Sequence, residues 1–365
     1  MARDWTHAYW NWLTNQALPL WADAGVDRRG EGFEELVGLD GRVVSAPRRC
    51  RVQGRQSFVF AYAGSLGWDG PWRDVAGLGL EYLERCYKRP DGLYATLAGP
   101  DGVVIDQTAM TYDQAFAILA AAALKAHGLG PAEDYALTLL DRIEMLRRHP
   151  DGGFIEPGPR FLSNPHMHLF EAALAWIEAG GQDRWRALAQ DVVALALEFF
   201  IDRDHGVLLE NFVSDWSAAP GAQGDSVEPG HLFEWSWLLE RWSRLGGGAV
   251  AHDAAVMLFE AGSRSVDRTR NVALDETDRA LAPRRATARL WPQTERLKAA
   301  LLLRREDEAR AAAQGLWQYL QTPVPGLWRD KMREDGSFVE EPAPASTLYH
   351  IICAVASLRE YGTLT

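Results

Sequence analysis

Long helical periods dominate the hydrophobic pattern of this chain. The stretches YDQAFAILAAAALKAHG (112–128), EDYALTLLDRIEML (133–146), HLFEAALAWIEAGG (168–181), WRALAQDVVALALEFFID (185–202) and ERLKAALLLRREDEARAAAQGLWQYLQ (295–321) carry apolar residues at i, i+3 and i+4, the spacing of one helix face. Alternation of period two is never long enough to predict a sheet. Short exceptions recur instead: GFEELVG (32–38), DGLYATL (91–97), DGGFIEP (151–157), DHGVLLEN (204–211), NVALDET (271–277) and DGSFVEE (335–341). Each sits beside a turn signal, usually glycine, and then runs extended and partly apolar.

These six segments are spaced by about 60 residues, which reads as a repeat of two helices and a hairpin-like connection. Six such units fill the chain and predict an all-α fold, an (α/α)6 barrel with six inner and six outer helices. An open solenoid is the alternative, but it would leave two apolar ends without polar capping repeats. The absence of a linker or composition break predicts one domain over 1–365.

The more apolar helix of each unit begins in RVQGRQSFVFAYAG, MTYDQAFAILAAAA, SNPHMHLFEAALAW, EPGHLFEWSWLL, LWPQTERLKAALLL and PASTLYHIICAVASL. Proline stands at or near the first helical position in three of them, where its missing N–H costs nothing. Asn164 is expected as an N-cap before Pro165, and Ser346 or Thr347 before the last helix. Every start also carries a group that a plain core helix would not select: Arg55, Tyr112, His168, His231, Gln293 and His350. In a closed ring these starts converge at one end and build a polar pocket in a tryptophan-rich funnel.

Composition narrows the chemistry. The formal charge is −12, with 38 basic and 50 acidic residues and no basic block, which argues against nucleic acid and anionic membrane as partners. Cys50, Cys86 and Cys353 are odd in number and far apart, a pattern of the reducing cytosol rather than of a disulfide or zinc framework. The start MARDWTHAYWNWL lacks a signal-peptide pattern, and the apolar runs are too short to span a bilayer. A cytoplasmic protein, monomeric or homodimeric, is expected. No phosphate loop, nucleophile elbow or dinucleotide fingerprint occurs, and neither HMH nor the His-x-x-Glu pairs match a zinc or iron motif, so no metal and no cofactor are expected. GAQGDSVEPG reads as a flexible rim loop without a strand.

Histidine suits proton transfer near neutrality, and a helix N-terminus favours its neutral form. His231 has Glu234 three residues on, placed to orient the ring or hold its proton; for Glu171, three residues after His168, a structural role is expected. Two histidines at a polar cavity suit proton transfer at the carbon beside a sugar carbonyl, through an enediol. Arg55 would stabilise the oxyanion, Tyr112, Asn164, Gln293 and Glu295 would hold sugar hydroxyls, and Trp291 would stack on the ring.

At GRQSFVFAYA, YDQAF, NPHMHLFEA, EPGHLFEWSWLL, WPQTE and LYHIICA the chain resembles the N-acylglucosamine 2-epimerase superfamily along its whole length, and EPGHLFEWSWLL looks most like the mannose isomerase branch. The resemblance implies an (α/α)6 barrel and makes His231 and His350 the acid–base pair around C1 and C2 of an open-chain sugar. It implies that His168 and Asn164 bind substrate and assist ring opening, and that Arg55, Tyr112, Glu234 and Trp291 complete the pocket. The expected activity is cofactor-free isomerisation of an aldose, D-mannose to D-fructose. A sugar 2-epimerase, or an isomerase of a sulfonated or phosphorylated sugar served by Arg160, Arg264, Arg284 or Arg285, is the alternative. Six helical hairpins also build glycoside hydrolases, for which Glu234 and Glu295 would be the carboxylate pair, but the histidines would then lack a role.

Overall fold

Burial sorts the helices into two kinds. The computed structural model describes residues 3–158, 160–362 and 364, with long helices α1 (Trp5–Trp12), α2 (Cys50–Ser65), α3 (Thr111–Lys125), α4 (Glu133–Arg147), α5 (Ser163–Glu178), α6 (Asp183–Leu195), α7 (Pro229–Trp242), α8 (Ala249–Arg264), α9 (Trp291–Leu302), α10 (Glu306–Trp317) and α11 (Ser346–Tyr361). In α3 the run from Asp113 to Ala122 is buried on every side. In α4 only Ala136, Leu139, Leu140 and Ile143 are buried, one stripe at i, i+3, i+4 and i+7. Trp185, Leu188, Ala189 and Val192 form the same stripe on α6. Enclosed helices are therefore buried all round, with polar residues such as Gln53, Gln114, Glu295 and Lys298 among the buried ones, and their partners are amphipathic. Each fully buried Leu, Val or Phe contributes about 1.5–3 kcal/mol.

The chain divides into two compact units. One comprises Met1–Ala17, Val193–Ala343 and His350–Thr365; the other comprises Leu18–Val192 and Pro344–Tyr349. In the second unit α2 packs on α3, and α3 on α4 and α5; in the first, α7 packs on α8 and α9, and α9 on α10. Close approach is built into the sequence at Gly54, where a methyl group would lie 2.7 Å from the Phe116 carbonyl oxygen. Among the described residues no helix is long and apolar enough to cross a membrane.

The extended segments form short ribbons. β1 (Val26–Asp27) pairs with β2 (Gly32–Phe33), β3 (Ile201–Asp202) with β4 (Val207–Leu208), β5 (Ser226–Val227) with β8 (Glu276–Asp278), and β6 (Val266–Asp267) with β7 (Val272–Ala273), all antiparallel. Such ribbons leave main-chain groups without ladder partners, and a buried N–H or C=O must find one. The enclosed helices supply it. Gln53 Oε1 accepts from Phe33 N–H at 2.8 Å and its Nε2 donates to Phe33 O at 2.8 Å. Gln114 does the same to Tyr94, at 2.8 and 2.9 Å. Gln293 does the same to Ala273, at 2.8 and 3.0 Å. In the third repeat His166 Nε2 accepts from Phe154 N–H at 2.8 Å. Its Nδ1 lies 2.8 Å from Leu162 O, and burial holds its pKa down at about 4 against a weaker upward pull from that bond. A neutral ring with the proton on Nδ1 satisfies both contacts.

Carboxylates in the same segments cap helix starts. Glu35 accepts from Arg49 N–H at 2.9 Å, Glu156 from Thr111 and Tyr112 N–H at 2.8 and 3.0 Å, and Asp275 from Arg289 N–H at 2.8 Å. Glu156 satisfies open N–H groups of the first turn of α3, while Glu35 and Asp275 hold the N-cap residue of α2 and the residue before that of α9; each carboxylate also suits the positive end of the helix dipole. The expected caps are corrected accordingly. Asn164 lies inside α5, whose N-cap is Leu162, and Ser346 and Thr347 lie inside α11.

Two further expectations are corrected. The period over 295–321 is broken between α9 and α10. Arg304 there is left-handed at φ 57°, and Glu306, Asp307 and Glu308 start the next helix, an acidic first turn that marked the boundary. The stretch GAQGDSVEPG contains a helical turn, Gly221–Gly224, and β5, so it is an ordered edge of a three-stranded ribbon.

The glutamine clamps predict that Gln53→Ala strands two buried main-chain groups of Phe33. Denaturant unfolding should show a loss of about 2–6 kcal/mol, from roughly 1–3 per unsatisfied group; an unchanged midpoint would remove the clamp from the account of the fold.

Candidate active site

Two histidines of the first unit are built alike. His231 lies in the first turn of α7, which opens on Pro229, and His350 lies in the first turns of α11. His231 Nδ1 is 3.0 Å from Glu210 Oε1, and His350 Nδ1 is 2.9 Å from Glu295 Oε1. A carboxylate only accepts, so each Nδ1 carries a proton. Both rings lie against one indole: His231 is 5.1 Å from the Trp291 ring centre at 39°, and His350 is 5.7 Å away at 37°. Gly230 makes room for that indole, because a methyl there would meet Trp291 at 2.4 Å. Trp291 itself is only half-buried. Arg289 stacks on it at 5.3 Å and is tied to Glu228 at 2.9 Å and Asp275 at 3.1 Å.

The charge around His231 corrects the expectation of a neutral ring. Burial pulls its pKa down. The Glu210 carboxylate, helped by Glu228, the Glu210 hydrogen bond and Glu234, outweighs burial and pushes it up to about 9. At neutral pH His231 is therefore an imidazolium and a proton donor. Glu234 acts on it through charge, and the ring's hydrogen-bonding partner is Glu210. Glu210 was missed, although its position in DHGVLLEN matches that of Glu35, Glu156 and Asp275 in their segments. It is a member of the capping series, 3.4 Å from Glu228 N–H, that also reaches a histidine.

Two expected substrate ligands turn out to be supports. Gln293 spends its amide on Ala273 and, at 2.9 Å, on Arg289 O; it is 1% exposed and has no donor to offer a sugar. Glu295 is wholly buried between His350 and Lys298 Nζ, the latter at 2.6 Å. It holds a histidine and touches no open space. The helix phase explains both. Position 295, two residues after the clamp, is the counterpart of Arg55 after Gln53, His168 after His166 and Phe116 after Gln114. Glu234, Glu295 and His350 bring ligand atoms within 4.8 Å of one another, but the Lys298 ammonium already sits on Glu295 and does there what a cation would.

The second unit holds a separate cluster. Arg55 Nη2 donates to Tyr112 Oη at 2.9 Å, and its Nη1 lies 3.4 Å from Ser346 O. Its guanidinium lies 4.2 Å from the Phe116 ring centre and 5.0 Å from that of Tyr349, an aromatic cage that fixes the fork. His168 meets Tyr112 edge-on at 4.8 Å, and its Nδ1 is 3.3 Å from Glu171 Oε2. Asn164 is half-buried beside it in sequence, in the first turn of α5.

A histidine pair with carboxylate-backed Nδ1 atoms over a tryptophan is an arrangement with the chemistry for acid–base proton transfer. The profile of the N-acylglucosamine 2-epimerase (GlcNAc 2-epimerase) family matches residues 32–354, and the chain belongs to this family. It is an enzyme of the sugar isomerase and epimerase class. The chain is 46% identical over 374 residues to a mannose-6-phosphate isomerase of Rhizobium meliloti (strain 1021), covering 96% of this chain and 95% of that protein. A solved D-mannose isomerase aligns with a TM-score of 0.86 at 20% identity, over 97% of each chain. The cellobiose 2-epimerase of Bacillus thermoamylovorans B4167 aligns with a TM-score of 0.86 at 18% identity, over 97% of this chain and 99% of that one. The fold is thus the expected (α/α)6 barrel.

The raised His231 value has a sign. A histidine whose folded pKa exceeds the unfolded value of about 6.5 stabilises fully below that pH and loses its contribution as pH rises through about 9. Proton NMR should show the His231 ring titrating near 9 in the native protein. In Glu210→Gln the midpoint should drop; a native midpoint at or below the free-histidine value would sink the assignment of His231 as the acid.

Proposed function

We propose that the protein isomerises D-mannose to D-fructose, with His350 as base and His231 as acid. The observation that carries the reading is the pair of histidines over Trp291, each committed to a carboxylate through Nδ1. In the first half, His350 Nε2 takes the C2 proton of the open-chain aldose while His231 protonates the C1 carbonyl oxygen, giving the enediol. In the second half, the proton held by His350 goes to C1, and the O2 proton returns to His231 as the C2 carbonyl forms. One hydrogen has moved from C2 to C1 and the two histidines are as they began. No outside reductant or oxidant is needed.

Arg55, Tyr112, Asn164 and His168 are assigned as substrate ligands on their chemistry: a caged cation, a phenol, a half-buried amide and an oriented imidazole. Trp291 is the apolar face for the sugar ring. Glu234 and Glu295 are assigned to the charge balance of the histidines.

The name of the Rhizobium relative favours a second reading, with the phosphorylated sugar as substrate. Two of the arginines expected to serve an anion are committed elsewhere. Arg284 pairs with Asp225 and donates to Ala222 O at 2.6 Å, and Arg285 pairs with Glu276 at 2.7 Å. Arg160 donates to Pro157 O at 3.2 Å. Arg264 is exposed in the last turn of α8. These commitments favour the neutral sugar.

Incubation with D-mannose in D2O, followed by proton NMR, tests this. Fructose carrying deuterium at C1 is the expected product, and His231→Asn and His350→Asn should each lower turnover by about 10²–10⁴-fold, the usual contribution of a general acid or base. Glucose deuterated at C2 would transfer the reading to a 2-epimerase. Turnover of mannose 6-phosphate alone would transfer it to the phosphorylated sugar.

A further inference from the structure

The carboxylate behind His350 serves two cations. Glu295 Oε1 faces His350 Nδ1, and Oε2 lies 2.6 Å from Lys298 Nζ, one helical turn along α9. Both the Glu295 and the Lys298 side chains are wholly buried. The ammonium also stands 3.7 Å from the ring centre of Trp237 on α7, a cation–π contact in a dry setting. An unneeded ammonium would not be kept there, since burying a charge is costly and an apolar side chain would fill the space.

Among the described residues of this unit, Glu295 and Lys298 from α9 and Glu234 from α7 stand around His350, and His231 from α7 shares the Trp291 ring with it. Glu234 and Glu295 each bring a carboxylate oxygen within 4.8 Å of a His350 ring nitrogen. Two carboxylates at that range favour the imidazolium, the outcome already described for His231. Resting on the acid–base reading above, we infer that Lys298 is a positioning residue that keeps His350 as the neutral base of the pair. It cancels the charge of Glu295 while leaving that residue's other oxygen to accept the Nδ1 proton. The carboxylate then orients the ring and fixes its tautomer without driving it to the protonated form. His231 and His350 thus share one architecture and differ in the net charge placed behind it, which divides them into acid and base.

Lys298→Met keeps the length and removes the charge. Its kcat/KM profile should have an acid limb moved up by about one pH unit, so that activity at pH about 6.5 falls roughly three- to sixfold and activity at pH about 8.5 stays nearly that of the parent. KM should change little, and Lys298→Arg should bring the limb back. An unmoved limb, or an equal loss at every pH, overturns the assignment. A second readout needs no turnover. With ¹⁵N-labelled histidine in the native protein, assigned through His350→Asn, His350 should be a neutral Nδ1–H ring at pH 7 while His231 is an imidazolium. An imidazolium at His350 overturns the role of Lys298, including where Lys298→Met does not fold. If no sugar is turned over, the proposed reaction fails, and the state of the His350 ring still decides the role of Lys298.

Discussion

Four enclosed helices are held by hydrogen bonds that the ribbons cannot make for themselves, and these set the rotation of Arg55, Phe116, His168 and Glu295. A two-residue strand pair leaves buried N–H and C=O groups facing the enclosed helices. A glutamine amide offers one donor and one acceptor in a fixed plane, so it satisfies both groups of one residue at once. Gln53, Gln114 and Gln293 do this in three repeats, and His166 meets the N–H half of the task in a fourth. Each clamp locks the rotation of its helix. Arg55, Phe116, His168 and Glu295, two residues further on, are thereby turned to one phase.

The second constraint is charge. Acidic caps are ordinary at helix starts, because the first-turn N–H groups and the dipole both welcome them. Glu210 occupies such a position and also faces His231, so a structural device becomes a source of acidity control. At His350 the carboxylate comes from a neighbouring helix, α9, and brings a lysine with it. The same residue types, His and Glu, thus stand in different charge settings at the two rings, which is the basis of the proposed division into acid and base.

Much of this was legible in the sequence. Helical periods, the repeat near 60 residues and the six helix starts identify the fold, because long apolar periodicity is a strong signal. His231, His350, Arg55 and Trp291 stood out because a charged or aromatic group at an apolar helix start is unusual. The failures are equally physical. Tyr112 and Gln293 were aligned with Arg55 by counting steps between repeats, yet connection lengths differ from repeat to repeat, and only the clamp contacts reveal that Phe116 and Glu295 hold the corresponding positions. Glu210 was visible in DHGVLLEN, but its meaning depends on a contact 21 residues away. Lys298 read as one more polar residue on α9, since no periodicity says that a lysine is wholly enclosed.

That enclosure has a chemical consequence. An open-chain aldose presents an aldehyde, and a free amine beside an aldehyde condenses to an imine. An enzyme that holds reducing sugars in that form would be progressively sugar-modified by any accessible lysine near its centre. Lys298 is paired with Glu295 and roofed by the Trp237 ring, so its nitrogen has its proton in use and its approach blocked. In the proposed reaction the centre would thus carry a positive charge behind its base without offering the sugar carbonyl a nucleophile.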